Sequence, residues 1–207
     1  VDAVMPGPGR VRTFNRIAER YDTKFSKGCE EAHAAVLECA RRSRVVPLQI
    51  LDVGCGTGKL LELAVQEWPR AQLYGVDPAA RMLEVAARRL PQAQLTPATA
   101  ECLPFDDESI DLVFSTTSLG HWDCPQSGLR EIHRVLRPGG SLLMAEHAPP
   151  NKAFTLLLRM MHRLPQLYGI GDMQVLLERS PLSLIDVKAV SGHFILAEAK
   201  RDFVLES

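Results

Sequence analysis

Apolar and polar positions alternate along this chain in two periods. Residues 14–21 and 30–43 read as helices, the second with apolar residues at Ala34, Val36, Leu37 and Ala40. Beyond them, short apolar runs alternate with helical stretches: a run at 49–53 closed by glycines, a helix at 59–67, a run at 72–76 and a helix at 79–90. A short strand at 93–96, a strand at 110–115, a helix around 128–136 and a strand at 141–146 continue the series. Strands separated by helices are expected to lie parallel, because the chain needs a crossover to return to the same edge of a sheet. The turn Arg137-Pro138-Gly139-Gly140 stops one helix and launches the next strand, since Pro cannot continue a helix and Gly accepts positive φ. The last third predicts helices at 154–164 and 172–179, then β-rich runs at 182–190 and 193–200. Only Ser191 and Gly192 separate those two runs, so they form an antiparallel hairpin. The predicted fold is α/β, a doubly wound, mainly parallel seven-stranded sheet ending in an antiparallel hairpin.

Length and composition narrow the reading. The 207 residues suffice for one sizeable core, so one domain is expected: N-terminal helices or lid at 1–45, a core at 46–147, and further helices with the hairpin at 148–207. An apolar content of 46% with 24% charged residues fits a globular protein. A formal net charge of −1 argues against non-specific nucleic-acid binding, which needs many Lys and Arg on phosphates. Cys29, Cys39, Cys55, Cys102 and Cys124 are odd in number and form no C-x-x-C pair, so they read as reduced thiols of a cytoplasmic protein. No apolar run approaches the roughly 20 residues that span a bilayer, and residues 1–10 lack the charged and apolar regions of a secretory signal. No cluster has metal-ligand spacing.

The segment Asp52-Val53-Gly54-Cys55-Gly56-Thr57-Gly58 follows a buried strand and opens a helix. Its glycines let the backbone turn sharply and approach a ligand that a Cβ would obstruct. A tight strand-to-helix turn without a ligand would use the same residues. Asp77 weighs against that bland reading. It ends the next strand, where a carboxylate can accept two hydrogen bonds from a ribose diol, and it could equally cap the helix that follows. Both features fall at the carboxyl edge of the sheet, where open α/β sheets bind ligands.

The run Ile50-Leu51-Asp52-Val53-Gly54-Cys55-Gly56-Thr57-Gly58 resembles the first motif of the class I S-adenosylmethionine-dependent methyltransferases. The resemblance is to their methyltransferase type 11 branch, which includes the ubiquinone and menaquinone biosynthesis enzymes. Gly75-Val76-Asp77-Pro78, Met82-Leu83, Ala100-Glu101-Cys102-Leu103-Pro104-Phe105, Ile110-Asp111-Leu112-Val113 and Arg134-Val135-Leu136-Arg137-Pro138-Gly139-Gly140 follow in the family's order. The likeness covers residues 14–146 well and the last third in outline.

That resemblance implies S-adenosylmethionine as cofactor and S-adenosylhomocysteine as product. Gly54, Gly56 and Gly58, with Cys55 between them, would lie against its methionine and ribose, and Asp52 would fix the loop or meet the amino group through water. Asp77 would hold both ribose hydroxyls. Pro78 and Met82 would flank the adenine, and the Ala100 amide would meet a ring nitrogen; Met82 could instead be plain helix core. The family often has an acid before that alanine, and here it is Thr99, so Thr99 or Glu101 would substitute. Ser115 would approach the methionine end, unless it is an ordinary strand-end serine. Tyr21, in an entry segment similar to the family's, is a lid candidate or packs on the sheet edge.

Methyl transfer from a sulfonium needs mainly proximity, orientation and a dry pocket, with a base only if the acceptor loses a proton. His121 is the candidate base, against readings in which it closes the loop or is structural. Trp122, Glu146 and His147 fall on the same edge, whereas His33, His133, His162 and His193 read as helix-face or hairpin residues. The expected partner is a small-molecule acceptor. A nicotinamide-dependent oxidoreductase is the weaker alternative, because the glycines run G-x-G-x-G and not G-x-G-x-x-G. A cofactor-binding protein without turnover is the other.

Overall fold

Two helices precede the sheet in the computed structural model, which describes residues 8–43, 46–149, 167–190 and 193–203. Helix α1 (Pro8–Ile17) gives way through a 3₁₀ turn at Ala18–Arg20 to α2 (Tyr21–Arg42). The predicted boundary at residue 30 is therefore corrected to Tyr21. Thr23 and Gly28 are weak helix formers, but tertiary bonds override them. The Asp22 carboxylate accepts from Thr57 Oγ1 at 2.7 Å and pairs with Arg89, which ties the first turn of α2 to the glycine loop and to a later helix.

The sheet then assembles from β1 (Gln49–Val53), β2 (Gln72–Val76), β3 (Gln94–Thr96), β4 (Ile110–Thr116), β5 (Leu136–His147), β6 (Ser183–Val190) and β7 (Phe194–Lys200). Its order is β3-β2-β1-β4-β5-β7-β6, with β7 antiparallel to both neighbours. Helices α3 (Lys59–Glu67), α4 (Ala80–Arg89) and α5 (Pro125–Val135) make the crossovers, and α6 (Ile170–Glu178) precedes β6. The sheet thus matches the doubly wound, seven-stranded expectation. Strand β5 starts earlier than the pattern predicted. Leu136 already pairs with Ile110, while Ser141 pairs with Leu112, so residues 137–140 form an excursion in the strand, with Gly139 at φ 80°. The predicted helix at 154–164 and the turn at Ser191–Gly192 lie outside the described residues.

Side-chain alternation divides the core in two. Leu51, Val113, Leu142 and Ile195 point to the side covered by α5 and α6, while their neighbours Ile50, Phe114, Leu143 and Leu196 face α2 and α3. Both faces are dry, which is why the strands read as unbroken apolar runs. The chain leaves β1 toward β2 and β3, then crosses back to β4 on the other side of β1. That reversal opens a crevice at the carboxyl ends of β1 and β4. All five cysteines are free thiols. Among the described residues no helix is long and apolar enough to cross a membrane.

Packing behind this crevice is close. A Cβ on Gly75 would stand 2.8 Å from both Cys55 Sγ and Leu95 Cδ2. Gly75→Val, which strand propensity alone would favour, is therefore expected to destabilise the protein by about 1–3 kcal/mol through overpacking. A denaturant melt in which Gly75→Val is as stable as the parent would contradict this packing.

Candidate active site

The glycine loop is held by backbone and carboxylate bonds at the end of β2. Gly54 N and Cys55 N both donate to Val76 O, at 2.8 and 3.0 Å. Gly56 N donates to Asp77 Oδ2 at 3.0 Å, and Ala79 N donates to Asp77 Oδ1 at 2.8 Å. Gly54 has φ 80°, and a Cβ there would lie 2.5 Å from Ser118 Cβ, so only glycine fits. Gly56, at φ 51°, faces open space with nothing within 4 Å. The loop thus presents bare backbone to the crevice.

Two compartments meet over this loop. The first, with about 670 Å³ of empty space, is bounded by Asp77, Pro78, Met82, Thr99, Ala100 and Glu101 on one side and by Phe14, His121 and Trp122 on the other. The second, about 550 Å³, is bounded by Asp52, Cys55, Thr57 and Lys59 and by Phe25, Cys29, Glu30 and His33 of α2. Tyr21, Gly54, Gly56, Thr116 and Thr117 line both. Each compartment contains a buried polar atom with no protein partner: Thr99 Oγ1 in the first, Asp52 Oδ1 and His33 Nδ1 in the second. Unpaired buried polar groups are costly, and they mark places where a bound molecule would complete the bonding.

Desolvation dominates the electrostatics. Burial, with the nearby Asp77 charge adding to it, pushes the Asp52 carboxyl up to about 8. Burial lifts Asp77 to about 6 against the pull of the Ala79 and Gly56 amides. Burial first, then the Lys59 charge, drives His33 down to about 4. The Tyr21 hydroxyl is raised by burial and by its thiol neighbour Cys29. Glu146 is raised to about 7 by burial, although its Oε1 accepts from Ser118 N and Leu119 N, both at 2.8 Å.

A family model described as a methyltransferase domain matches residues 51–144. A demethylmenaquinone methyltransferase of Thermotoga maritima is 34% identical over 157 residues, 70% of this chain and 65% of its own length. A demethylmenaquinone methyltransferase of Thermus thermophilus is 32% identical over 169 residues, 76% of each chain. The chain thus spans about two thirds of the length of the Thermotoga relative. This chain belongs to the class I S-adenosylmethionine-dependent methyltransferases, in the ubiquinone/menaquinone-type branch. The fold agrees: a solved S-adenosylmethionine-dependent methyltransferase from Thermotoga maritima, described as a possible histamine N-methyltransferase, superposes with a TM-score of 0.71 at 19% identity, covering 91% of this chain and 98% of that one.

The residues of this chain fit its family's cofactor. The first compartment offers a carboxylate for a diol, an unpartnered hydroxyl and the apolar Pro78 and Met82. The second offers an unpartnered carboxyl oxygen. Most residues singled out in the sequence come together here, but Gly58, Ser115, Glu146 and His147 do not. Gly58 lies outside the lining, where a Cβ would stand 3.1 Å from Ala86 Cβ, so it serves the packing of α3 on α4. Ser115 is fully buried beneath the cavity and bonds Ser118 Oγ at 2.8 Å. Glu101 lines the cavity, but its Oε1 already accepts from Asp123 N and Cys124 N at the entry to α5. Met82 serves both readings, lining the cavity while packing on Ala18 and Ala79. His121 sits on a 3₁₀ turn, edge-on to Phe14 at 5.1 Å. Glu146 braces the loop after β4 and does not line the cavity, and the exposed His147 lies against Phe194.

Sequence reasoning missed Phe14, Thr117, Ser118 and His33. Thr117 takes φ 51°, a strained conformation for a β-branched residue, where the two compartments join. No local signal announces it.

Glu146 generates a pH test. Its folded pKa lies above the ordinary carboxylate value, so its contribution to stability is present at low pH and lost as pH rises toward about 7. Glu146→Gln, which keeps the amide acceptor, should therefore gain in melting temperature relative to the parent between pH 5 and pH 8. Parallel stability curves across that range would refute the buried-carboxylate account.

Proposed function

We propose that this chain transfers the methyl group of S-adenosylmethionine to a small, largely apolar acceptor and releases S-adenosylhomocysteine. The observation that carries this reading is the pair of joined compartments, each with an unpartnered buried polar atom, meeting over bare glycine backbone. When bound, the sulfonium supplies an activated methyl that a nucleophile takes by in-line displacement.

The protein's own part is binding, orientation and exclusion of water. Asp77, already fixed by two amides, accepts from both ribose hydroxyls, since an ionised carboxylate has about four acceptor sites. Pro78 and Met82 pack on the adenine, and Thr99 Oγ1 meets its polar edge. Asp52 takes the amino group. Tyr21, Phe14 and Trp122 close the mouth from opposite sides and keep the transfer dry. His121, on the loop after β4, is placed to take a proton from an acceptor hydroxyl if one must leave. The aromatic rim of Phe14, Tyr21, Phe25 and Trp122 favours an apolar acceptor, and two relatives are named for methylating demethylmenaquinone.

Calorimetric titration should show S-adenosylhomocysteine binding and NAD not binding. Asp77→Ala, shown to be folded by its thermal melt, should bind at least about tenfold more weakly through loss of two hydrogen bonds to a charged acceptor. Binding of NAD alone, or parent-like affinity in Asp77→Ala, would defeat the reading.

His121 separates chemistry from binding. His121→Asn is expected to lower turnover about 10²-fold or more, within the typical range for a general base, with cofactor affinity retained. Weakened cofactor binding at an unchanged maximal rate would make His121 a cofactor contact instead.

A further inference from the structure

Helix α2 carries a stripe with a four-residue repeat, Tyr21, Phe25, Cys29 and His33, and all four side chains line the second compartment. The last of them is the least explained. His33 is 7% exposed, and its Nδ1 has no hydrogen-bond partner. A buried imidazole nitrogen left without a partner against a cavity is a cost that packing alone does not require.

The chemistry of the compartment says what would complete it. Asp52 Oδ1 calls for a donor, and in the proposed function it takes an ammonium. In an α-amino acid the ammonium and a carboxylate share one carbon, so the same compartment must offer the carboxylate a donor within a few ångströms. Two other donors in the lining already have partners: Lys59 Nζ bonds Glu62 Oε2 at 2.9 Å, and the Thr57 hydroxyl donates to Asp22 at 2.7 Å. His33 has a ring nitrogen to spare. The N-terminus of α3, starting at Lys59, opens beside it and favours an anion.

We infer that His33 donates from Nδ1 to the α-carboxylate of the cofactor's amino-acid end, a contact outside the glycine motif. The inference rests on the proposed function and extends it to the wall formed by α2. The imidazole is neutral, held so by burial and by Lys59, and a neutral ring protonated at Nδ1 is a donor there.

Three ligands isolate the contact: S-adenosylhomocysteine, its decarboxylated analogue, and 5′-methylthioadenosine, which lacks the whole amino-acid end. By calorimetry, His33→Ala should bind the first at least about tenfold more weakly, the loss of one hydrogen bond to a charged group. The other two should bind as they do to the parent. His33→Asn, whose amide nitrogen can stand near the position of Nδ1, should recover most of the loss. In the parent protein, the ¹⁵N resonance of His33 Nδ1 should move on adding S-adenosylhomocysteine and stay in place on adding 5′-methylthioadenosine, a readout that does not depend on a variant folding. Equal losses for all three ligands, or an Nδ1 resonance that responds alike to both, would overturn the role of His33 and leave the proposed function standing. Failure of the parent to bind any of the three would remove the function itself.

Discussion

One buried carboxylate sets the shape of the ligand-facing edge. Asp77 accepts from the amides of Gly56 and Ala79, and so ties the loop leaving β1 to the turn leaving β2. Without that tie, the amide of Gly56 would lose its side-chain partner at the point where the loop must lie open. The anchor is costly, because burial raises the carboxyl to about 6 even with two amides attached. Glu146 repeats the device after β4, where its Oε1 gathers the amides of Ser118 and Leu119. The crevice is therefore framed by desolvated carboxylates holding backbone loops in place, and apolar packing supplies the walls behind them.

The second wall is α2, which the Asp22–Thr57–Arg89 cluster fastens to the glycine loop and α4. The first turn of α2 sits over the loop, and its stripe from Tyr21 to His33 closes the second compartment. Tyr21 reaches both compartments, while Phe14 meets His121 across the first. The N-terminal helices thus help to line both compartments, above the packed sheet.

The core of the site was legible because its geometry is local. Gly54, Gly56 and Asp77 lie at strand ends that periodicity marks, and a parallel sheet brings successive strand ends to one edge. The parallel direction of the first strands followed from the alternation of strands and helices, and the order in which they lie did not. What escaped depends on contacts between distant segments. Residues 22–29 carry Thr23 and Gly28 and look poorly helical, yet Arg89, more than sixty residues away, helps hold them in α2. His33 reads as a helix-face residue because a helical repeat shows which positions share a face, not what that face meets. Thr117 owes its positive φ to the junction it occupies, which no run of neighbours encodes. Gly58 matched its motif, but its glycine answers to Ala86 in α4 and not to the cavity.

The central claim is that one molecule of S-adenosylmethionine or its product spans both compartments. A crystal structure of the complex with S-adenosylhomocysteine tests it most directly. The account predicts the adenosine between Asp77 and Thr99, both ribose hydroxyls on the Asp77 carboxylate, and the amino-acid end over Gly54 and Gly56 toward Asp52. A ligand seated elsewhere, or an adenosine with Asp77 bonded only to Gly56 and Ala79, would contradict it.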